Sequence, residues 1–350
     1  MMTNEPTSRF LRATRRLITD TTPVWFMRQA GRYMPEYQAI RRQHKSILEM
    51  IARPEVAAEI TLQPVDTLGV DAAILFADIL LPLPPMGLNL EFVPGRGPVI
   101  HNPVRSPDDV AALRPVDVRA DLGHVYEAIR LVRTELDGRD VPLIGFAGAP
   151  FTLAAYIIEG GPSRNFVETK KLMYGQPAAW RALMQKLTPV LIDYLLAQAD
   201  AGAQALQLFD SWVGALNPQD YRRFVQPYSR QILQTLMARA DVPVIHFGVG
   251  ATTLLGEMKA AGGHVIGLDW RIPLDEGWAL LGDDVAVQGN LDPTALFAPL
   301  PELENQVRDV LTRAAGRPGH IFNLGHGILQ HTPVENVRAV VEMVHEFNRK

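Results

Sequence analysis

The chain has 350 residues, of which 47% are hydrophobic and 21% are charged, and these values are typical of a soluble globular protein. They exclude a disordered chain, a coiled coil and a collagen. The net charge of -4 also excludes a surface built throughout to bind nucleic acid or anionic membrane, so an anionic ligand would need a local basic cluster.

The sequence contains no cysteine, which removes disulfides, thiolate metal sites and a cysteine nucleophile and fits a reducing compartment. Residues 1–16 lack the uninterrupted apolar segment of a signal peptide. No apolar run reaches the ~18 residues needed to cross a bilayer. We therefore expect a cytoplasmic protein with no membrane span.

Eight short apolar segments recur along the chain with helical patterns between them. They cover residues 24–27, 72–76, 142–146, 205–209, 243–247, 265–268, 285–288 and 320–324. Continuous apolar runs of this length are typical of parallel strands buried on both faces. Eight strand–helix repeats without a change in composition predict one domain over residues 1–350, folded as a single, distorted (β/α)8 TIM-type barrel.

Two connections depart from a regular barrel. Residues 89–93 and 98–101 flank a Pro-Gly turn and predict a small hairpin inserted after the second strand. The long connection between the first two strands contains a basic helix around Arg41 and Arg42. A doubly wound open sheet is the alternative fold, but it needs a glycine-rich phosphate loop after its first strand, and residues 28–32 hold a single glycine.

Polar residues follow most of the predicted strands, where barrel enzymes carry their chemistry. In chain order they are Arg28 and Arg32, Asp78, Tyr156, Asp210 and Ser211, His246, Asp269, Asn290 and Asp292, and Asn323 and His326. We therefore place the candidate site at this end of the barrel.

Arg28 and Arg32 are four residues apart, so a helical turn would place both guanidinium groups on one side. Guanidinium binds carboxylate or phosphate bidentately, and each charged hydrogen bond contributes roughly 1.5–3 kcal/mol. For Arg41 and Arg42 we favour ordinary solvated side chains.

Asp78 follows an apolar run and should reach the edge of a dry interior, where an unpaired charge is costly. Two interpretations remain open. The carboxylate either caps the segment that begins at Ile79, or it accepts hydrogen bonds from a substrate and balances positive charge there.

His326 lies between two glycines, which permit close approach of the backbone to a ligand, and His246 is a second candidate. Metal-binding His spacings are absent, so we predict no metal site. No lysine follows a predicted strand, which argues against Schiff-base chemistry. The glycines of residues 247–253 are a weak candidate for a phosphate site.

Residues 23–37 and 145–153 closely resemble the two signature stretches of the uroporphyrinogen decarboxylases. The first reads Pro-Val-Trp-Phe-Met-Arg-Gln-Ala-Gly-Arg-Tyr-Met-Pro-Glu-Tyr and the second Gly-Phe-Ala-Gly-Ala-Pro-Phe-Thr-Leu. Further matches at 76–80, 156–161, 208–211 and 323–327 extend the resemblance from about Phe10 to the end of the chain.

The resemblance implies a homodimeric barrel, without cofactor or metal, that removes CO2 from the four acetate arms of uroporphyrinogen III to give coproporphyrinogen III in tetrapyrrole (heme) biosynthesis. It implies that the catalytic residues are Arg28, Arg32 and Asp78, with Asp78 at the pyrrole nitrogens. The substrate-binding residues that it implies are Arg28, Gln29, Ala30, Gly31, Arg32, Asp78, Tyr156, Phe209, Ser211 and His326. Some family members carry Glu in place of Asp210.

Two alternatives remain. Methyltransferases with a related barrel use a His-Cys-Cys zinc set, which a chain without cysteine cannot supply. A barrel that only binds tetrapyrroles is harder to exclude from residues. For the decarboxylase, an arginine is a poor acid at a pKa above ~12, so we consider water or His326 as the proton source.

Overall fold

The computed structural model describes residues 6–347; residues 1–5, the start of the segment inspected for a signal peptide, lie outside them. Its nine strands are β1 (Ala73–Ile74), β2 (Leu90–Val93), β3 (Gly97–Ile100), β4 (Leu143–Gly148), β5 (Ala205–Asp210), β6 (Val244–Gly248), β7 (Val265–Gly267), β8 (Ala286–Gln288) and β9 (His320–Ile321). Seven of these form one parallel sheet in the order β1, β4, β5, β6, β7, β8, β9. The fold class is α/β.

The helices of the described residues lie before, between and after the strands of this sheet. They are α1 (Arg9–Thr14), α2 (Pro35–Arg41), α3 (Ile47–Ile51), α4 (Pro54–Leu68), α5 (Pro107–Ala112), α6 (Val118–Asp121), α7 (Gly123–Glu135), α8 (Pro150–Glu159), α9 (Val167–Gly175), α10 (Pro177–Asp200), α11 (Pro218–Phe224), α12 (Gln226–Arg239), α13 (Leu255–Ala261), α14 (Leu274–Leu281), α15 (Leu300–Ala314) and α16 (Val334–Glu346). Several of them, including α4, α8 and α10, have proline in the first turn. Proline is tolerated there because the N–H groups of the first turn have no acceptor within the helix. No helix within residues 6–347 is long and apolar enough to span a membrane.

The register of the parallel strands aligns their carboxyl ends along one edge of the sheet. Gly148 at the end of β4 pairs with Phe209 of β5, and Asp210 at the end of β5 pairs with Gly248 of β6. All residues of β4 and β6 are buried, as continuous apolar runs require. The residues that follow these strands are therefore neighbours in space.

The prediction of a strand over residues 24–27 is wrong, because the chain makes only a single bridge, between Val24 and Phe322, before it turns. Its backbone is bonded on both sides. Trp25 N donates to Phe322 O at 3.3 Å, and Asp71 N donates to Val24 O at 2.8 Å. Residues 23–25 thus connect the segment after β9 to the segment before β1.

A two-stranded antiparallel sheet lies in the connection after β1. Leu90 of β2 pairs with Ile100 of β3, and Val93 pairs with Gly97. Gly97 has a φ of 83°, which a side chain would strain. Ile100 N donates to Gly160 O at 2.9 Å, and so the hairpin is joined to the end of α8.

Candidate active site

The Arg28 loop has a conformation that the sequence did not indicate. Arg28 has a φ of 60°, and the segment around it is a turn, so the predicted helical turn over residues 28–32 is wrong. Gln29 Oε1 accepts from Phe26 N at 3.1 Å, and its Nε2 donates to Ala72 O at 3.0 Å. One of these bonds lies within the loop and the other joins it to the segment before β1, and together they hold the loop at Arg28. Gln29 is buried, and therefore its side chain holds the loop in place.

The remainder of the loop leads toward α2. Ala30 and Gly31 are half-buried, and Arg32 is exposed. Burial raises the pKa of Tyr37, and the nearby charges of Arg41 and Arg32 oppose that rise. Gln38 Nε2 of α2 donates to Arg32 O at 2.6 Å, so Arg32 lies beside α2.

Asp78 makes the capping contact that was one of the two interpretations left open by the sequence, and the geometry is compatible with the other. Its Oδ1 accepts a hydrogen bond from Leu80 N at 2.9 Å, which is the cap. Within residues 6–347 no protein donor bonds Oδ2, so this oxygen is available to a ligand. Burial raises the pKa of Asp78 to about 6, against the Leu80 hydrogen bond and the charge of Arg28.

Tyr156 lies on α8 and faces the same space. Its ring packs against Trp212, with 5.6 Å between the centroids. Burial, and secondarily the charge of Asp78, raises the pKa of Tyr156 to about 12, while the charge of Arg28 opposes the rise. Tyr156 is therefore a protonated hydroxyl at neutral pH, close to both Asp78 and Arg28.

His326 is held in one neutral form. Its Nδ1 accepts from Gly327 N at 2.7 Å, so the ring proton of the neutral side chain lies on Nε2. Burial lowers the pKa of His326 to about 4, and the charges of Arg28 and Arg271 lower it further. At neutral pH this imidazole can donate a hydrogen bond but carries no proton to transfer as imidazolium.

Three aromatic rings lie along the carboxyl ends of neighbouring strands. Phe209 packs edge-on against Phe146 at 5.5 Å and against Phe247 at 5.9 Å between centroids. Phe209 is half-buried, as is Ser211 next to Asp210. The three phenylalanine rings form an apolar floor beside Asp210 and Ser211, the polar residues that follow Phe209.

Asp210 extends the site into the buried interior. Thr152 Oγ1 donates to its Oδ1 at 3.0 Å and accepts from Trp212 N at 3.2 Å. The buried Oδ2 has no hydrogen-bond partner among the described residues. Burial raises the pKa of Asp210 to about 7, against the Thr152 hydrogen bond. Thr152 lies one helical turn before Tyr156, so this contact ties α8 to β5 beside the site.

Two sequence candidates lie outside this arrangement. His246 is fully buried, and its ring lies beside the backbone of Met258 and Gly262 in the helix layer, so its assignment to the mouth is wrong. In the candidate phosphate site at residues 247–253, Gly250 N donates to the carboxylate of Asp269, so this N–H is not available to an anion.

The part of the chain that the structure describes has no group of three or more His, Asp or Glu side chains placed to share a metal ion. The site can bind anionic groups at its arginines, accept N–H hydrogen bonds at Asp78 and cover an apolar ring system at the phenylalanine floor.

A family model described as uroporphyrinogen decarboxylase matches residues 5–347. The uroporphyrinogen decarboxylase of Roseiflexus sp. (strain RS-1) is 58% identical over 345 residues, which are 97% of this chain and 99% of the relative. That of Solibacter usitatus (strain Ellin6076) is 58% identical over 341 residues, 97% of this chain and 98% of the relative.

Among solved structures, a methyltransferase from Methanosarcina mazei superposes with a TM-score of 0.80 at 21% identity and covers 97% of this chain and 98% of its own. A B12-independent methionine synthase from Shewanella sp. W3-18-1 gives a TM-score of 0.56 at 12% identity, over 86% of this chain and 89% of its own. At these identities the two similarities concern the fold alone.

Proposed function

The chain belongs to the uroporphyrinogen decarboxylase family, and we propose that it removes CO2 from the four acetate arms of uroporphyrinogen III to give coproporphyrinogen III. The observation that carries the proposal is the Asp78 carboxylate, which keeps one oxygen free beside Arg28 at the edge of the apolar floor.

The proposed substrate matches the chemistry of the site. Its flexible tetrapyrrole ring system is uncharged but carries a carboxylate on every arm, so the substrate needs cationic groups around an apolar surface. Arg28 and Arg32 supply guanidinium groups at the mouth, and Phe209 lies in the floor. Tyr156 and the Nε2–H of His326 are neutral donors for further carboxylate oxygens.

Decarboxylation of a pyrrole acetate requires an electron sink, and the pyrrole itself becomes one when a ring carbon is protonated. The bond to the carboxyl carbon then breaks, CO2 leaves, and the electron pair neutralises the cationic ring. A proton on the exocyclic carbon completes the methyl group, and the ring carbon loses its proton.

Asp78 acts on the cation in this sequence. Its free oxygen accepts hydrogen bonds from the pyrrole N–H groups. The positive charge on these groups increases when the ring carbon is protonated. A carboxylate fixed by Leu80 N needs no reorganisation to meet that charge, and comparable preorganised groups contribute roughly two to three powers of ten in rate.

The ring proton is assigned in this proposal to neither His326 nor an arginine. The pKa of His326 near 4 leaves its imidazolium scarce at neutral pH, and a guanidinium is a poor acid. His326 then orients the substrate through its Nε2–H.

For the molecule as a whole we propose a single-domain, distorted (β/α)8 barrel that residues 23–25 close. Hydrogen bonds of these residues with Phe322 and Asp71 support the closure. We also propose a homodimer, which rests on the family resemblance. The proposed cytoplasmic location rests on the absence of cysteine.

The test is anaerobic incubation with uroporphyrinogen III, followed by mass analysis of the oxidised products. We expect four successive losses of the mass of CO2, which end at coproporphyrinogen, in enzyme that has been treated with a chelator. Tight binding without any loss of CO2 would contradict the decarboxylase and identify a tetrapyrrole-binding protein. Activity that disappears with the chelator and returns with a divalent metal would contradict the metal-free mechanism.

A further inference from the structure

The turn after β7 lies on the opposite side of His326 from Arg28. A Cβ atom on Gly325 would lie 2.3 Å from Trp270 N, and one on Gly327 would lie 2.5 Å from Cδ of Arg28. The Trp270 and His326 rings pack edge-on at 6.5 Å. The loop that carries His326 is therefore held between Arg28 and the turn at residues 269–271.

Arg271 is fixed within this turn by two kinds of contact. Its Nη1 donates to Asp269 Oδ2 at 2.5 Å, and its backbone N donates to Oδ1 at 3.1 Å. The guanidinium carbon lies 4.0 Å from the centroid of the Trp270 ring. A planar guanidinium that is stacked and bonded in this way loses little further entropy when it binds a ligand.

Most of the Arg271 donors remain available. The side chain is 48% exposed, whereas that of Asp269 is 2% exposed. Only Nη1 is bonded to a protein acceptor among the described residues. Asp269 also accepts a hydrogen bond from Gly250 N, so its negative charge is divided among several donors. It therefore does not cancel the positive charge at the unbonded N–H groups of Arg271.

Arg271 is close to the site through Trp270, because its guanidinium stacks on the Trp270 ring and that ring packs edge-on against His326. Its charge is one of those that lower the pKa of the half-buried His326, together with the charge of Arg28. Two guanidinium groups thus approach the same imidazole from the two sides of its loop.

We propose that Arg271 is a third substrate-binding arginine, which binds a carboxylate arm of the tetrapyrrole on the side of the mouth opposite Arg28. This inference rests on the proposed function. It assigns Arg271 to recognition of the carboxylate arms, with Asp269 and Trp270 as the residues that position it.

The test compares Arg271→Gln and Arg271→Lys with a matched control, Arg317→Gln. Arg317 also stacks on a tryptophan, at 5.2 Å from the Trp278 ring, but it precedes β9 and therefore lies at the amino end of the sheet. Anaerobic kinetics with uroporphyrinogen III are measured beside the unfolding midpoint. Because one charged hydrogen-bonding group is lost, we expect Arg271→Gln to raise KM about tenfold with little change in kcat or Tm.

Arg271→Lys should restore part of the affinity, since it keeps the charge and loses the planar fork, and Arg317→Gln should leave KM unchanged. A wild-type KM in Arg271→Gln would overturn the inference, as would an equal increase in Arg317→Gln. A fall in kcat that parallels a lower Tm would reduce Arg271 to a structural role and also overturn it.

The proposed function can fail separately. If the wild-type chain releases no CO2, that function is wrong, and binding of uroporphyrin III, the oxidised octacarboxylate, followed by fluorescence then tests Arg271. About tenfold weaker binding in Arg271→Gln, with the control unchanged, supports the carboxylate-binding role. Equal binding in all variants contradicts it.

Discussion

Small residues determine where the long side chains of the site can lie. Gly327 has no side chain because Arg28 crosses the space that a Cβ would fill, and Gly325 lies against the backbone at Trp270. The glycines around His326 were expected to allow a ligand close approach. In the structure they allow close approach of the protein's own segments.

Gly327→Ala tests this arrangement. The new Cβ would lie 2.5 Å from Cδ of Arg28, and because that side chain is flexible, it should move rather than the backbone. We expect KM for uroporphyrinogen III to rise severalfold while Tm stays within about a degree of wild type, since the core is not altered. Steady-state kinetics and thermal unfolding measure the two effects.

Gly256→Ala is the control, because nothing lies within 4 Å of a Cβ at that position in α13. It should leave KM unchanged and stabilise the helix by up to about 1 kcal/mol. A wild-type KM in Gly327→Ala would show that the position of Arg28 does not govern substrate binding.

Residue types near the predicted strand ends were sufficient to predict that Arg28, Asp78, Tyr156 and His326 lie near one another. They did not single out Arg271, because nothing in the sequence shows which ring its guanidinium stacks on. Only the stacking on Trp270 and the proximity of His326 distinguish it. The left-handed Arg28 was also beyond sequence reasoning, since bonds from Gln29 to distant backbone hold it.

At the scale of elements, α8 and β5 are joined at the site by the bond between Thr152 and Asp210. The sequence placed Asp210 at a strand end but gave no indication of its partner.

Eight apolar segments were predicted as strands, and the first of them forms only a single bridge, at Val24. The bonds that Gln29 makes with Phe26 N and Ala72 O pull the chain into a turn there.

Asp210→Asn tests the cost of burying this carboxyl group. The pKa of Asp210 is raised to about 7 in the folded protein, whereas it is about 3.9 in an unfolded chain. The folded state therefore binds the proton more tightly, and this group's contribution to stability is lost as pH rises from about 4 to about 7. We expect a smaller loss of unfolding free energy over that window in Asp210→Asn than in wild type.

Urea unfolding at several pH values from 4 to 8 measures the difference. The exposed Asp137→Asn variant controls for the general effect of removing one carboxylate. Parallel pH profiles for wild type and Asp210→Asn would show that Asp210 is ionised in the folded protein without cost.

On the scale of the whole molecule, residues from both ends of the chain meet at Asp71. Its Oδ2 accepts from Val24 N at 2.7 Å and lies 2.7 Å from His345 Nε2, and Arg9 Nη1 donates to Oδ1 at 3.2 Å. This cluster lies where residues 23–25 connect the segments at the two edges of the sheet. Local patterns in the sequence predicted the seven strands of the parallel sheet and their order, but they could not predict contacts between residues so far apart.

The net charge of the whole chain differs in sign from the local charge at the proposed site. The chain is slightly acidic, so an anionic ligand would need a local basic cluster, and a polycarboxylate would be attracted to one. Arg28 and Arg32 are the members of that cluster that the sequence analysis named, and Arg271 is the member that we propose from the structure.

The most direct test of the account is Asp78→Asn, measured by single-turnover kinetics with uroporphyrinogen III and by thermal unfolding in the same buffer. An amide oxygen can still accept from Leu80 N, so the cap remains, while the negative charge at the pyrrole N–H groups is lost. We predict a kcat lower by at least about two powers of ten, a smaller change in substrate binding, and a Tm equal to or above wild type because burial no longer opposes a charge. A near-normal kcat, or a loss of activity only in proportion to a loss of folded protein, would contradict the role of Asp78 in stabilising the protonated pyrrole.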